Sequence, residues 1–210
     1  MSGLSTLLAD LKEQEALDTV KKMLGDGLDP MQILAEAREG MQVVGQRFGC
    51  GEYFIPDLIY SGEILKGIAQ MVEPYIKSSG TEAKKLGKVI IATVAGDIHD
   101  IGKDLVVFML DISGYEVYDL GIDVPIQTIV SKIRETGATV VGLSGFLTLA
   151  FDAMKETIEA IKEAGLRDNL KVMIGGGQID EEVRKYTGAD AYGRDAMAAV
   201  TLTNGWLNQG

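Results

Sequence analysis

From Val89 onward the sequence alternates short runs of β-branched and apolar residues with stretches of helical period, five times over. The runs Val89–Val94, Glu116–Leu120, Thr139–Leu143, Lys171–Ile174 and Ala191–Tyr192 are separated by amphipathic segments at 102–113, 125–136 and 151–164, by a short helix, and by a last helix after the fifth run. Strands that are apolar almost throughout are covered on both faces, and a strand followed by a helix returns to the sheet in parallel. This grammar predicts a flavodoxin-like, doubly wound α/β fold with a five-stranded parallel sheet.

Up to about Ser79 the pattern differs. Apolar residues recur at helical spacing, as in Ala16, Val20, Met23 and Leu24, and again in Ile33, Leu34, Ala37, Met41 and Val44. Asp29-Pro30 supplies an N-cap and a proline at the first helical position, Gly25 to Gly27 stop the helix before it, and Ile55-Pro56 opens another that runs to about Lys77. Four helices, the first one short, predict a small N-terminal bundle. Between Ser78 and Lys88 the sequence turns polar and loses its period, which places a domain boundary near residue 85.

Composition narrows the chemistry. A single cysteine, Cys50, excludes an internal disulfide, and a single histidine, His99, excludes multi-histidine metal sites. With 20 basic against 31 acidic side chains the formal net charge is −11, and no local basic patch is evident, so a nucleic-acid role is not expected. No apolar run approaches the ~18 residues of a membrane span. The N-terminus lacks the basic region and cleavage site of a secretory signal, so a cytoplasmic location is expected.

Ligands of open parallel sheets bind at the carboxyl ends of the strands. The turn after the first strand carries Gly96, Asp97, Ile98, His99, Asp100, Ile101 and Gly102; the third is followed by Ser144, Phe146, Leu147 and Thr148; the fourth by Gly175 and Gly176; and Tyr192 and Gly193 close the fifth. Each glycine alone reads as turn punctuation, His99 alone as an ordinary polar residue, and Asp100 as a helix cap. Together they describe an open groove at one sheet edge with the sole histidine projecting from it. A phosphate loop does not fit, because Gly96 is misplaced and Asp104 stands where a hydroxyl is needed. The dinucleotide fingerprint is absent, and Ser144 occupies the position where a phosphoryl receiver needs an aspartate.

The sequence Asp97-x-His99-x-x-Gly102, within Gly-Asp-Ile-His-Asp-Ile-Gly-Lys, resembles the signature of the corrinoid (cobalamin-binding) methyl-carrier proteins and of the cobalamin-binding region of methionine synthase. The resemblance extends to Ser144-Gly-Phe146-Leu-Thr148, to Gly175-Gly176, to Tyr-Asp-Leu-Gly at 118–121, to Val124-Pro125, and to Gly45–Pro56 in the helical half. It implies residues 1–84 as a helical methyl-cap domain and 85–210 as a cobalamin-binding domain. It also implies His99 as the cobalt ligand in place of the cofactor's own benzimidazole, Asp97 as its hydrogen-bonded partner, and Ser144 and Thr148 at the nucleotide tail. Phe48, Ile55, Leu58 and Ile59 would cover the cobalt-bound methyl, although they also read as bundle core. Two departures stand out: Phe146 replaces a usual aliphatic residue, and Ala150 stands where methionine synthase has the serine of its proton relay, which shortens the relay to His99 and Asp97.

The function so implied is a methyl carrier cycling between cob(I)alamin and methylcobalamin. Its expected partners are a substrate-specific methyltransferase acting on a methylamine, an alcohol, a betaine or a methoxylated aromatic, an acceptor methyltransferase using tetrahydrofolate or coenzyme M, and a reductive activator of the corrinoid. The alternatives are a cobalamin-dependent sensor, which would ordinarily carry a basic DNA-binding module, and a flavodoxin-like protein without cobalamin.

Overall fold

The computed structural model describes residues 3–79, 85–177 and 179–207. Part of the polar stretch expected as a linker, residues 80–84, lies outside them. The chain divides into two compact units, Met1–Lys84 and Lys85–Gly210.

The first unit holds α1 (Gly3–Ala9), α2 (Glu13–Gly25), α3 (Pro30–Gly49) and α4 (Ile55–Ser79). Asp29 caps α3 by accepting from the Met31 amide at 3.0 Å, with Pro30 at the first helical position. Gly27, at φ +77°, turns the chain out of α2. Leu8, Ala16, Val20, Ile33, Ala37, Val44, Leu58, Ile64 and Ile68 form the core with no exposed surface. Gly40 lets α3 approach α1 closely, since a Cβ there would lie 2.7 Å from the Ser5 carbonyl oxygen. Arg47 closes the bundle at the other end of α3: Nη1 donates to the Ala9 carbonyl at 2.6 Å, to Asp10 Oδ1 at 2.9 Å and to the Tyr53 hydroxyl at 2.8 Å. Arg47 and Tyr53 of the Gly45–Pro56 motif are therefore structural.

The second unit contains β1 (Lys88–Thr93), α5 (Ile101–Ile112), β2 (Glu116–Asp119), α6 (Ile126–Thr136), β3 (Val140–Ser144), α7 (Ala150–Glu163), β4 (Lys171–Gly175), α8 (Glu181–Thr187), β5 (Ala191–Gly193) and α9 (Ala196–Leu207). The sheet is wholly parallel, in the order β2-β1-β3-β4-β5. Strand and helix limits fall within one residue of the sequence expectation. Ile90, Ala92 and Val94 of the first strand and its extension, Val141 and Leu143 of β3, and Val172 and Ile174 of β4 join α6 and α7 in one core cluster. By strand alternation the remaining residues face the other side, where α5 and α9 pack together.

Because β2 lies on one side of β1 and β3 on the other, the connections leave the sheet in opposite directions between β1 and β3. Such a switch point opens a crevice at the carboxyl ends. Register sharpens it: Thr93 pairs with Ser144, Ser144 with Gly175 and Gly175 with Gly193, so four strand ends stand in one row.

Candidate functional site

The loop between β1 and α5 projects from the switch point. Asp97 is 1% exposed and both its carboxylate oxygens are fully engaged. Oδ1 accepts from the His99 backbone amide at 2.9 Å and meets His99 Nδ1 at 2.7 Å. Oδ2 accepts from the amides of Phe146 at 2.7 Å and Leu147 at 2.9 Å, both in the loop after β3. Burial opposes ionisation of Asp97, but the Leu147 amide, the His99 amide and ring, and the Phe146 amide together outweigh it. They hold the carboxyl well below the usual carboxylate range. Asp97 is thus a fixed anion that bridges the loops after β1 and β3.

An anionic acceptor at Nδ1 assigns the proton to that nitrogen and leaves the lone pair on Nε2. Among the described residues no hydrogen bond to Nε2 is present, and the His99 side chain is 49% exposed. Its carbonyl accepts from the buried Thr93 hydroxyl at 3.2 Å, which anchors the loop to the end of β1. The two loops that meet here expose apolar side chains to solvent: Ile98 (67%) and Ile101 (80%) flank His99 in sequence, Phe146, Leu147 and Leu149 stand in the loop after β3, and the Phe146 ring lies 4.8 Å from the imidazole. Apolar surface grouped in this way marks a binding site. An exposed imidazole with Nε2 unpartnered among the described residues, in loops that also expose apolar side chains, can ligate a metal carried by a largely apolar ligand.

The glycines divide into two kinds. Gly96 has φ +81° and Gly102 an ordinary φ, and a Cβ at either would touch nothing, so both leave open space beside His99. Gly176 answers to the fold itself: at φ +147°, its Cβ would lie 1.8 Å from the Gly145 carbonyl oxygen. Gly175 and Gly193 stand at the ends of β4 and β5. Asp100 occupies the N-cap position of α5 but makes no side-chain capping bond. Ser144 closes β3, its carbonyl accepting from Val94 at 3.0 Å, and Thr148 is exposed in the loop that follows. Tyr192 packs partly against the core cluster, and its hydroxyl accepts from Arg194 at 3.3 Å.

In the helical unit Ile55 and Ile59 are exposed at the start of α4 and Phe48 is half-buried. Leu58 has no exposed surface and belongs to the bundle core. The helical period explains the difference, because 58 lies on the stripe continued by Ile64 and Ile68.

Three features were missed in the sequence. Asp123, at φ +49°, accepts from the Gly96 amide at 2.7 Å, and its own amide donates to the Asp97 carbonyl at 3.0 Å, so the loop after β2 braces the histidine loop. Lys103, one residue beyond the motif, is 3% exposed and donates to Asp104 and Asp119 at 2.6 Å each. Burial lowers its proton affinity, but the two carboxylates more than compensate and keep it raised. Finally, the expectation of no basic patch is corrected in part. A surface depression away from His99 gathers Lys155 and Lys162 of α7, Arg167 of the 3-10 turn that follows, Lys171 of β4 and Lys185 of α8, interspersed with Glu159 and Asp168. The spread of these residues along the chain hid it.

Comparison with known proteins agrees with this geometry. Residues 87–201 match the B12 binding domain family, and residues 2–73 match a second B12 binding domain family. The trimethylamine corrinoid protein of Methanosarcina barkeri is 37% identical, over 96% of this chain and 93% of that protein. Among solved structures, a cobalamin-binding protein from Desulfitobacterium hafniense is 41% identical with a TM-score of 0.83, covering 97% of this chain and 96% of that one. The methanol:cobalamin methyltransferase complex of Methanosarcina barkeri gives a TM-score of 0.81 over 99% of this chain and 79% of that one; at 23% identity it supports the fold alone. With these matches over nearly the whole length, the chain belongs to the B12-binding corrinoid protein family.

Proposed function

We propose that this protein carries a methyl group on cobalamin between a substrate-specific methyltransferase and a methyltransferase for the acceptor. The observation that carries the reading is the single histidine, held by Asp97 through Nδ1 and half-exposed in a loop pair that also exposes Ile98, Ile101, Phe146, Leu147 and Leu149. When bound, cobalamin supplies the making and breaking of the carbon–cobalt bond. The chain's own residues do the rest. His99 is assigned as the cobalt ligand, and Asp97 holds its tautomer and orients the ring. Gly96, Ile98, Ile101 and Gly102 are assigned to the edge of the corrin beside it, and Ser144, Phe146, Leu147, Thr148, Gly175, Tyr192 and Gly193 to the groove for the nucleotide tail, while Gly176 serves the close approach of the chain to Gly145.

The helical unit is assigned the shielding of the reactive position, with Ile55, Ile59 and Phe48 as the contributing side chains. Leu58 supports them from within the core. The relatives named for methylamine substrates favour a small methylated amine as donor, with tetrahydrofolate or coenzyme M as the ultimate acceptor. A reductive activator completes the system. No described helix is long and apolar enough to cross a membrane, and we assign the protein to the cytoplasm.

Nothing in the site favours a sensor. A reconstituted mixture of this protein, hydroxocobalamin, a reductant and a trimethylamine-specific methyltransferase tests the function. Methylation of the corrinoid that depends on both proteins is the expected outcome. A corrinoid that binds but never accepts a methyl from any of the donor classes would contradict it.

A further inference from the structure

The hydrogen bond from Nδ1 to Asp97 settles the tautomer of His99 and tethers one edge of the ring, but a single tether leaves the ring room to rock about it, because the torsion that turns an imidazole is broad. A ligand nitrogen that must point along one direction needs a second constraint. The structure offers one. The Phe146 ring lies against the imidazole, with centroids 4.8 Å apart and planes tilted by 34°. On the Gly177 side the ring is equally close-fitting, since a Cβ on Gly177 would fall 2.5 Å from Phe146 Cε2 and 2.8 Å from Cδ2. The backbone amide of the same residue donates to Asp97 Oδ2 at 2.7 Å. Phe146 therefore holds the His99–Asp97 pair from two sides, its amide fixing the carboxylate and its ring facing the imidazole.

We propose that the Phe146 side chain is a positioning residue for His99, setting the direction in which Nε2 points, and that Gly177 is the space this aromatic ring requires. The inference rests on the reading of His99 as the cobalt ligand for its functional meaning, but the positioning itself belongs to the protein alone. A branched aliphatic side chain at 146 keeps the amide bond to Asp97 and removes only the flat face. An aromatic pair of this kind shifts an equilibrium by roughly two- to tenfold.

His99 is the only histidine, so its ring protons give unique NMR signals in the protein without cofactor. Phe146→Leu removes the ring current felt by those protons; their shifts should move and their lines broaden as the ring pivots, with both features restored in Phe146→Tyr. Gly177→Ala, which displaces the Phe146 ring without altering it, should move the same signals. In protein loaded with hydroxocobalamin and reduced to cobalt(II), the nitrogen splitting in the EPR spectrum reports axial imidazole. The ratio of His-coordinated to uncoordinated cobalt should fall roughly two- to tenfold in Phe146→Leu and recover in Phe146→Tyr. His99 signals unchanged in both Phe146→Leu and Gly177→Ala would overturn the proposal, as would a coordinated fraction unchanged in Phe146→Leu. If Phe146→Leu fails to fold, Gly177→Ala decides alone. If His99→Ala leaves the wild-type nitrogen splitting intact, the assignment of the cobalt ligand fails, while the NMR result still judges the positioning.

Discussion

Asp97→Asn separates the charge of the aspartate from its shape. Wild-type Asp97 accepts four hydrogen bonds while buried, two at each oxygen. Asparagine offers one oxygen and one NH2 group. The arrangement that keeps most bonds turns the amide oxygen to the Phe146 and Leu147 amides and the NH2 to His99. His99 Nδ1 then has to accept, which moves the ring proton to Nε2, and the His99 backbone amide loses its acceptor. An orphaned charge-assisted bond costs about 1.5–3 kcal/mol, and each surviving bond weakens by about 1 kcal/mol as its charge disappears. Burying a neutral amide instead of a carboxylate offsets part of this. The net expectation is a loss of about 2–4 kcal/mol, together with an inverted tautomer. Trp206, the sole tryptophan, lies in α9 of the second unit, so its fluorescence during urea unfolding reports that unit selectively. Nitrogen-15 NMR of the single imidazole identifies the protonated ring nitrogen. A wild-type ring protonated on Nε2, or a tautomer unchanged in Asp97→Asn, would refute the reasoning.

Acid provides a second test, because the carboxyl of Asp97 is held below its ordinary value. A lowered carboxyl contributes stability that is complete above the ordinary carboxylate range and is lost as pH falls below it. Urea midpoints followed by Trp206 should therefore drop more steeply below about pH 4 in wild type than in Asp97→Asn; parallel profiles would contradict it. Gly96→Ala and Gly176→Ala should differ sharply: the first meets only backbone strain of about 1–2 kcal/mol, whereas the second drives a Cβ into the Gly145 carbonyl and should leave the second unit unfolded by circular dichroism. Lys103→Met should cost only about 1–2 kcal/mol by the same urea assay, because the carboxylates it abandons remain in contact with water. A loss near that of Asp97→Asn would show that Lys103 does more than tie α5 to β2.

The parallel sheet and its helices were legible because strand and helix write different periods into the chain, and one residue of drift at each end does not disturb a period. The histidine and its partner aspartate were legible through their spacing. What fixes the aspartate was not: the donors at Oδ2 are backbone amides of Phe146 and Leu147, and an amide is common to every residue but proline. The bracing by Asp123 was hidden for a related reason, since its role depends on a positive φ that asparagine-like side chains tolerate without advertising it. The glycine at 176 was read as room for a ligand, yet its neighbour is the Gly145 carbonyl, a contact made only once β3 and β4 are paired. Leu58 shows the converse: a residue placed on a candidate surface by resemblance belongs to the core by its helical phase.

The most direct test of the central claim is the visible spectrum and cobalt content of the protein after anaerobic reconstitution with hydroxocobalamin, beside His99→Ala. One cobalt per chain, with a spectrum that changes when His99 is replaced, is the result predicted for a corrinoid held through this histidine. A protein that retains no corrinoid, or one whose spectrum is the same without the imidazole, would contradict it.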